Sequence, residues 1–298
     1  MRKYPISLMP LIAIILFILI LSSCSFLPVT NNAKSYALII GINEYPAPNT
    51  LSWCVNDANG MEDALINNGW EQSQITKLLD YDATKENIKT QLTDIINKAT
   101  SNDYILVFYS GHGVGHSSLI SSPEIQDTNG DEDDGYDEAI VPIDFNGNIS
   151  SLIIDDELGE IFSQSKTQKG VFIFDSCFSG GFINKSLSDS GLKIRSLTNA
   201  KTVGDPTSQD LDIYNIPVLT ASSYDEPAGE YDSLKHGVFT YSILKGFENM
   251  NADYNNDGYI TVREIFKYAE TYTRTLTGDA QHPKLQAPQF FTDILITH

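Results

Sequence analysis

Cys177 follows an apolar run, in a position where a thiol could act as a nucleophile. Residues 171–174 are β-branched or aromatic, the pattern of a strand buried on both faces of a parallel sheet. Ser179, Gly180 and Gly181 come next, and such small residues allow a sharp turn and the close approach of a ligand's main chain. Cys177 is therefore predicted at the carboxyl end of a central strand, where open α/β sheets carry their chemistry.

His112 has a similar setting upstream, because a strand predicted over 104–109 runs into a Ser-Gly-His-Gly turn at 110–113. Two adjacent parallel strands would bring His112 and Cys177 together. A thiol needs a nearby base or cation to become an efficient nucleophile. The pair therefore predicts a Cys/His catalytic dyad. The alternative for each residue alone is structural: an inert buried thiol and a loop histidine.

The elements that must position this pair alternate along the chain. Strands are predicted over 35–43, 75–79, 104–109, 171–174 and 217–221, with an edge strand over 290–296. Helices are predicted over 55–68, 84–99, 155–164, 239–250 and 262–275, with Thr84 as an N-cap. This alternation predicts an α/β fold with a mostly parallel sheet and helices on both faces. Residues 182–213 lack periodicity and are predicted to be a flexible linker.

Composition limits the partners. The formal net charge is −20 and 41% of the residues are hydrophobic, enough for a sizeable core. No basic stretch could neutralise phosphates, so nucleic acid is excluded as a partner. An acidic surface suits metal ions or basic peptide segments instead. Three cysteines do not imply a disulfide framework.

The first residues predict export. Arg2 and Lys3 precede an apolar run over 11–21 that is too short to span a bilayer comfortably. The run ends in Leu-Ser-Ser-Cys, which resembles the lipobox of bacterial lipoproteins and makes Cys24 a lipidation site. Residues 1–23 would then be a signal peptide and 24–34 a tether, with the protein anchored to a membrane of the bacterial cell envelope. The alternative is a plain signal peptide or an N-terminal anchor helix.

Residues 253–264 fit the twelve-residue calcium loop of an EF-hand. Gly258 stands at the sharp turn, and helices are predicted on both sides. The oxygen ligands at positions 1, 3, 5, 7, 9 and 12 would be Asp253, Asn255, Asp257, Tyr259, Thr261 and Glu264. The alternative is a polar turn between two helices.

A second acidic stretch, 127–138, fits the same template less well. Asp127, Asn129, Asp131 and Glu138 fall at ligand positions, but Glu132 replaces the turning glycine. So many like charges repel one another unless a cation or solvent separates them. Both a calcium site and a solvated acidic loop stay open for this stretch.

Five motifs together resemble the caspase-like cysteine peptidases, and within them the metacaspases and their bacterial relatives. They occur in the family's order at 36–43, 54–58, 109–113, 137–144 and 175–181, and the last reads Asp-Ser-Cys-Phe-Ser-Gly-Gly. The resemblance implies a caspase-like three-layer fold over 35–298. It would comprise a large-subunit-like region (35–181), the linker (182–213) and a small-subunit-like region (214–298). It also implies calcium activation, without ligands that can be aligned here.

The resemblance further implies residue roles. Cys177 would attack the scissile carbonyl, His112 would move the proton, and the backbone N–H groups of Cys177 and Gly113 would form the oxyanion hole. Metacaspases bind Arg or Lys before the cut in an acidic pocket, whose positions match Cys54, Asp57, Ser110 and Asp175. Asp57 could instead be a carboxylate at a helix N-terminus, and Asp175 a structural hydrogen-bond acceptor.

Two other functions stay open at this point. One is a catalytically idle, calcium-dependent binding lipoprotein, and the other is a thiol hydrolase or transferase with a non-peptide substrate. Both members of the dyad are present, which disfavours the first. A strand-end Cys and His do not by themselves exclude the second.

Overall fold

The structure, a computed structural model, describes residues 33–114, 125, 137–176, 192–194, 216–223, 226, 228–287 and 296–297. Its strands are β1 (Ser35–Gly41), β2 (Ile75–Leu79), β3 (Tyr104–Ser110), β4 (Gly113–Val114), β5 (Ala139–Ile140), β6 (Ile153–Ile154), β7 (Gly170–Asp175), β8 (Leu192–Ile194), β9 (Val218–Thr220), β10 (Gly229–Tyr231), β11 (His236–Gly237) and β12 (Lys284–Gln286). Its helices are α1 (Cys54–Asn67), α2 (Lys85–Lys98), α3 (Asp155–Ser163), α4 (Val238–Phe247) and α5 (Val262–Leu276).

The main sheet has six strands in the order β12-β9-β7-β3-β1-β2, and its pairs are parallel except for β12 with β9. β3 and β7 are direct neighbours, with Ser110 in register with Asp175. The carboxyl ends of these two strands therefore lie side by side, as the dyad prediction requires. The predicted three-layer α/β fold is confirmed.

Both faces of the sheet are buried, which explains the continuous apolar runs. Leu38 and Ile40 of β1 face one core cluster, with the apolar stripe of α2 and with Leu158 and Phe162 of α3. Ala37 and Ile39 face the other, with the apolar stripes of α1, α4 and α5. All four β1 side chains are 0% exposed. Successive side chains of β1 thus pack against helices on opposite faces of the sheet.

Several elements differ from the prediction. α4 ends at Phe247 rather than at 250, and a short 3-10 turn follows in which Asn249 and Met250 have φ of +53° and +58°. The edge strand is β12, too short for its alternation to be recognised, and most of the predicted strand over 290–296 lies outside the described residues. β8 forms inside the segment predicted as an aperiodic linker and pairs with β10.

The predicted signal segment and Cys24 lie outside the described residues, so the export and lipidation assignments stay predictions. In the part of the chain that the structure describes, none of the helices is long and apolar enough to cross a membrane.

Candidate active site

The loop after β3 holds His112 through two buried tyrosines. The Tyr109 hydroxyl donates to the His112 carbonyl oxygen at 2.6 Å, and the His112 N–H donates to the Tyr45 hydroxyl at 3.2 Å. Tyr45 in turn donates to the Val141 carbonyl oxygen at 2.8 Å. Burial, reinforced by Tyr109, raises the pKa of Tyr45 well above its ordinary value, so its hydroxyl keeps the proton it donates.

Gly111 is required by this arrangement. A Cβ atom there would lie 2.5 Å from the Tyr109 hydroxyl oxygen and 2.7 Å from that of Tyr45. Both tyrosines are buried and hydrogen-bonded, so neither can move aside cheaply. The glycine before His112 therefore allows the loop to pass close to the two phenols.

The His112 imidazole is only 2% exposed, and its Nε2 lies 2.6 Å from the carbonyl oxygen of Asn49. A carbonyl oxygen can only accept, so Nε2 carries the hydrogen. In the neutral ring Nδ1 is then the basic nitrogen. The Tyr45 ring packs against the imidazole with the centroids 4.6 Å apart, which restricts its rotation. The side chain is thus held in one tautomer and one orientation, as a general base requires.

The predicted nucleophile lies just beyond the described residues. β7 ends at Asp175 next to the end of β3, and Ser176 is buried, but Cys177 is outside the described part of the chain. The structure therefore describes the base and the strand that leads to the thiol, and the contact between them stays a prediction. Gly113, predicted to supply an oxyanion N–H, is described: it opens β4, in register with Ile140 of β5.

Three of the four predicted pocket residues converge beside the start of α4. Asp57 is 0% exposed and accepts a hydrogen bond from the Ser110 hydroxyl at 2.8 Å and one from the Gly237 N–H at 3.0 Å. Asp175, also 0% exposed, accepts from both the N–H and the hydroxyl of Thr240, at 2.9 and 2.6 Å. Gly237 is the N-cap of α4 and Thr240 lies in its first turn, where negative charge is stabilised by the helix dipole.

These contacts give both carboxylates structural roles. Asp57 lies in the first turn of α1 and contacts the N-cap of α4, and Asp175 satisfies a backbone N–H in the first turn of that helix. The sequence offered a structural role as the alternative for each of these two carboxylates, and the structure shows contacts of that kind for both. They do not conflict with a pocket, because the same geometry places two buried carboxylates at the sheet edge that carries His112.

Cys54, the fourth pocket residue, opens α1 and is buried. Distant side chains support this helix start, since the Asn43 side-chain oxygen accepts the Cys54 N–H at 2.8 Å. The carboxylate of Glu230 accepts the N–H groups of Ser52 and Trp53 at 2.8 and 3.1 Å. Glu230 is 0% exposed and belongs to β10, so the small antiparallel sheet of β8, β10 and β11 is fastened to α1.

Sequence reasoning missed several residues that build this site. Tyr45 and Asn49 come from the irregular loop between β1 and α1, and Thr240 and Glu230 act through contacts far apart in the chain. His236 was also missed, although its Nδ1 lies 2.9 Å from Asp57 Oδ1. Its position directly before the N-cap glycine of α4 is the only signal the sequence carried.

The loop over 253–264 has the turn that its sequence predicts. Gly258 has φ of +86°, and its N–H donates to Asp253 Oδ2 at 3.0 Å. The Asp257 N–H donates to Asn255 Oδ1 at 2.8 Å, and the Tyr259 N–H donates to Asp257 Oδ1 at 2.9 Å.

The end of this loop starts α5. Thr261 caps the helix, and Glu264 Oε2 accepts the Thr261 N–H at 3.0 Å in a capping box. The described residues contain no group of three His, Cys, Asp or Glu arranged to hold a metal ion. The calcium assignment therefore stays a prediction.

The second acidic stretch is described only at its end. Asp137 and Glu138 are each 2% exposed, and the Glu138 carbonyl oxygen accepts the Asp155 N–H at 3.0 Å. Asp127, Asn129 and Asp131 lie outside the described residues, so metal binding there stays open.

Comparison with known proteins identifies the family. Metacaspase-1 of Candida albicans is 36% identical over 161 residues, which cover 51% of this chain and 35% of that protein. Metacaspase-6 of Arabidopsis thaliana is 33% identical over 185 residues, 59% of this chain and 47% of that protein. Metacaspase-1 of Schizosaccharomyces pombe is 27% identical over 291 residues, 89% of this chain and 64% of that protein. The chain thus spans less than two thirds of the length of each of these curated relatives.

Among solved structures, protein GSU0716 from Geobacter sulfurreducens has the same fold. It superimposes with a TM-score of 0.58 at 19% identity and covers 87% of this chain and 95% of its own. The caspase domain profile matches residues 34–294, nearly the whole described part of the chain. The chain therefore belongs to the caspase domain family of cysteine-type peptidases.

Proposed function

We propose that this protein is a cysteine endopeptidase that hydrolyses peptide bonds after Arg or Lys, with Cys177 as the nucleophile and His112 as its base. The observation that carries the proposal is the setting of His112. Its Nε2 is tied to the Asn49 carbonyl at 2.6 Å, so its basic nitrogen is Nδ1. The ring is buried at the carboxyl edge of β3, beside the strand that ends two residues before Cys177.

The reaction follows from these roles. His112 Nδ1 accepts the thiol proton, and the sulfur attacks the scissile carbonyl. Negative charge then develops on the carbonyl oxygen, and the N–H groups of Cys177 and Gly113 would stabilise it. Return of the proton from His112 to the leaving amine breaks the C–N bond and leaves a thioester. Water, activated by the same imidazole, hydrolyses the thioester and restores the thiol.

The preference for a basic residue before the cut is supported by charge. Asp57 and Asp175 are two buried carboxylates at the same sheet edge, with the Ser110 hydroxyl bonded to the first. A guanidinium or ammonium group there would make charge-assisted hydrogen bonds with them. The net charge of −20 favours the approach of basic peptide or protein substrates.

Calcium is proposed as the bound metal, held by the loop over 253–264. Its residues fit the ion in donor chemistry, since carboxylate, amide, hydroxyl and carbonyl oxygens stand at the ligand positions and Gly258 has the positive φ that the turn requires. Bound calcium would neutralise the carboxylates of this loop. The loop leads directly into α5, which packs on α4. An ordered loop would therefore help to hold α4, whose N-cap residue Gly237 contacts Asp57 and whose first turn contacts Asp175.

We also propose that the protein is exported and anchored by a lipid on Cys24. The support is the basic start, the apolar run and the lipobox-like ending in the first 24 residues. Labelling with a radioactive or alkyne-bearing fatty acid tests this, because a Cys24→Ser protein should take up none.

The activity is tested with fluorogenic peptides that carry Arg, Lys, Asp or a neutral residue before the cleaved bond, with and without calcium. Cleavage after Arg and Lys is expected, and Cys177→Ala and His112→Ala should each abolish it while far-ultraviolet circular dichroism stays unchanged. Full activity in Cys177→Ala would overturn the peptidase assignment for this thiol. Equal rates in calcium and in a chelator would overturn a role for calcium in activity.

A further inference from the structure

His236 contacts the carboxylate that the proposed pocket depends on. It opens β11, and its Nδ1 lies 2.9 Å from Asp57 Oδ1. The side chain of Asp57 is 0% exposed, whereas that of His236 is 21% exposed. The other two described groups that hydrogen-bond Asp57, the Ser110 hydroxyl and the Gly237 N–H, belong to buried residues. Of these three groups, only His236 has a part-exposed side chain.

The geometry fixes which ring nitrogen changes its protonation. An ionised carboxylate can only accept hydrogen bonds, so His236 Nδ1 carries a hydrogen in both charge states of the ring. Protonation then occurs at Nε2 and leaves the bond to Asp57 in place. The contact changes from a neutral hydrogen bond into an ion pair without any rearrangement.

The other groups around the imidazole do not compete for this role. Tyr241 of α4 lies with its ring centroid 6.2 Å away, and a Cβ on Gly60 of α1 would be 3.4 Å from His236 Cε1. On β10, Tyr231 is the register partner of His236, and the neighbouring Glu230 carboxylate accepts two N–H groups at the start of α1. Lys235 precedes His236 in the turn, where its carbonyl accepts from Asn56. Among the described residues, Asp57 is the one ionisable group hydrogen-bonded to His236.

We infer that His236 is a specificity-determining positioning residue of the basic-side-chain pocket. The inference rests on the proposed function, because it concerns how Asp57 receives the substrate's cation. With a neutral imidazole, Asp57 is oriented and keeps its full charge for a guanidinium or ammonium group. With an imidazolium, that charge is already balanced and a second cation is repelled. The preference for Arg and Lys therefore weakens when this imidazole gains a proton.

The test separates binding from chemistry. For the wild-type protein, KM for an Arg peptide and the inhibition constant of benzamidine, a small amidine cation, are measured at pH 7.5 and pH 5.5. The value of kcat is recorded separately because His112 acts in the chemical step. Both KM and the inhibition constant are expected to rise by about threefold or more at the lower pH. In His236→Asn, whose amide keeps a donor but cannot gain a charge, both constants should be nearly the same at the two pH values.

A matched control is present in the chain. His282 is also a part-exposed histidine, with its Nδ1 2.5 Å from Glu226 Oε1, and it does not contact Asp57. His282→Asn should keep the wild-type pH dependence. His236→Gln provides a second uncharged donor if the Asn variant does not fold, as judged by thermal unfolding.

Every outcome of this test either supports or contradicts the inference about His236. If the wild type cleaves Arg peptides with the same KM and the same benzamidine inhibition at both pH values, the inference fails and the proposed function stands. The inference also fails if the His236 variant retains the wild-type pH dependence. If no Arg or Lys peptide is cleaved at either pH, the proposed function fails first and this inference falls with it.

Discussion

Removing the Tyr45 hydroxyl should damage the proposed base without touching its imidazole. In Tyr45→Phe the ring that packs on His112 is kept, but the hydroxyl that accepts the His112 N–H and donates to the Val141 carbonyl is lost. The His112 N–H is left without this partner, whereas the Val141 carbonyl still accepts from the Tyr109 hydroxyl at 3.1 Å, so the variant should lose about 1–3 kcal/mol of unfolding free energy. Because this N–H belongs to His112 itself, kcat should also fall, by up to about 10²-fold for a shift near 1 Å.

The assay combines thermal or urea unfolding with kcat and KM for an Arg peptide. Tyr81→Phe is the matched control, because Tyr81 is 73% exposed and its hydroxyl is in solvent. Its stability and kcat should match those of the wild type within about 0.5 kcal/mol. If Tyr45→Phe is as stable and as active as Tyr81→Phe, the tyrosine network does not position His112 and the reasoning is wrong.

Two further predictions concern the pocket and the linker. Asp57→Ala and Asp175→Ala should each raise KM for Arg peptides, since loss of one partner of a desolvated ion pair costs roughly 2–5 kcal/mol. Cleavage of neutral peptides should be impaired less. If steady-state kinetics show equal losses for both kinds of peptide, these carboxylates are purely structural. Calcium should stimulate self-cleavage in the segment over 182–213, because the sequence predicts a flexible linker there and proteolysis concentrates in flexible segments. N-terminal sequencing should find a new terminus that is absent in Cys177→Ala, and an intact, active chain would refute self-cleavage. The candidate sites are Lys185, Lys193, Arg195 and Lys201.

The strand β8 bears on the choice among these sites. Lys193 lies in the middle of β8, in register with Glu230 of β10. A paired strand must leave its partner before a peptidase can bind it in an extended form. We therefore expect the pairing of β8 with β10 to slow cleavage after Lys193 and after Arg195, the residue that directly follows β8.

Periodicity predicted the layers of this fold because burial forces it on the sequence. Apolar patterns predicted the buried strands β1, β3 and β7 and the buried stripe of α2. The predicted N-cap, Thr84, accepts the Asn87 N–H at 3.2 Å. The strand-end position of His112 followed from the same logic. Burial leaves a pattern over five or more residues, and such patterns are readable without tertiary structure.

The supporting contacts could not be predicted, since each depends on a single residue that reaches a distant part of the chain. Asn49 acts through its backbone carbonyl, which any residue would supply, so its identity carries no signal. Tyr45 reaches Val141 across a large separation in sequence. The end of α4 was misplaced because Met250 follows Phe247 at helical spacing, while Asn249 adopts the left-handed conformation that stops the helix.

The order of strands in the main sheet has a consequence for a chain cut between 182 and 213. β9, from the second fragment, pairs with β7 of the first, and among the described strands β12 pairs with β9 alone, so neither fragment contains the complete sheet. Unfolding of the intact chain is unimolecular, whereas unfolding of the cut form also releases one fragment from the other. Its midpoint would then depend on protein concentration and fall on dilution, by mass action. A cut would thus make the stability of this protein depend on its concentration, whereas the stability of the intact chain does not.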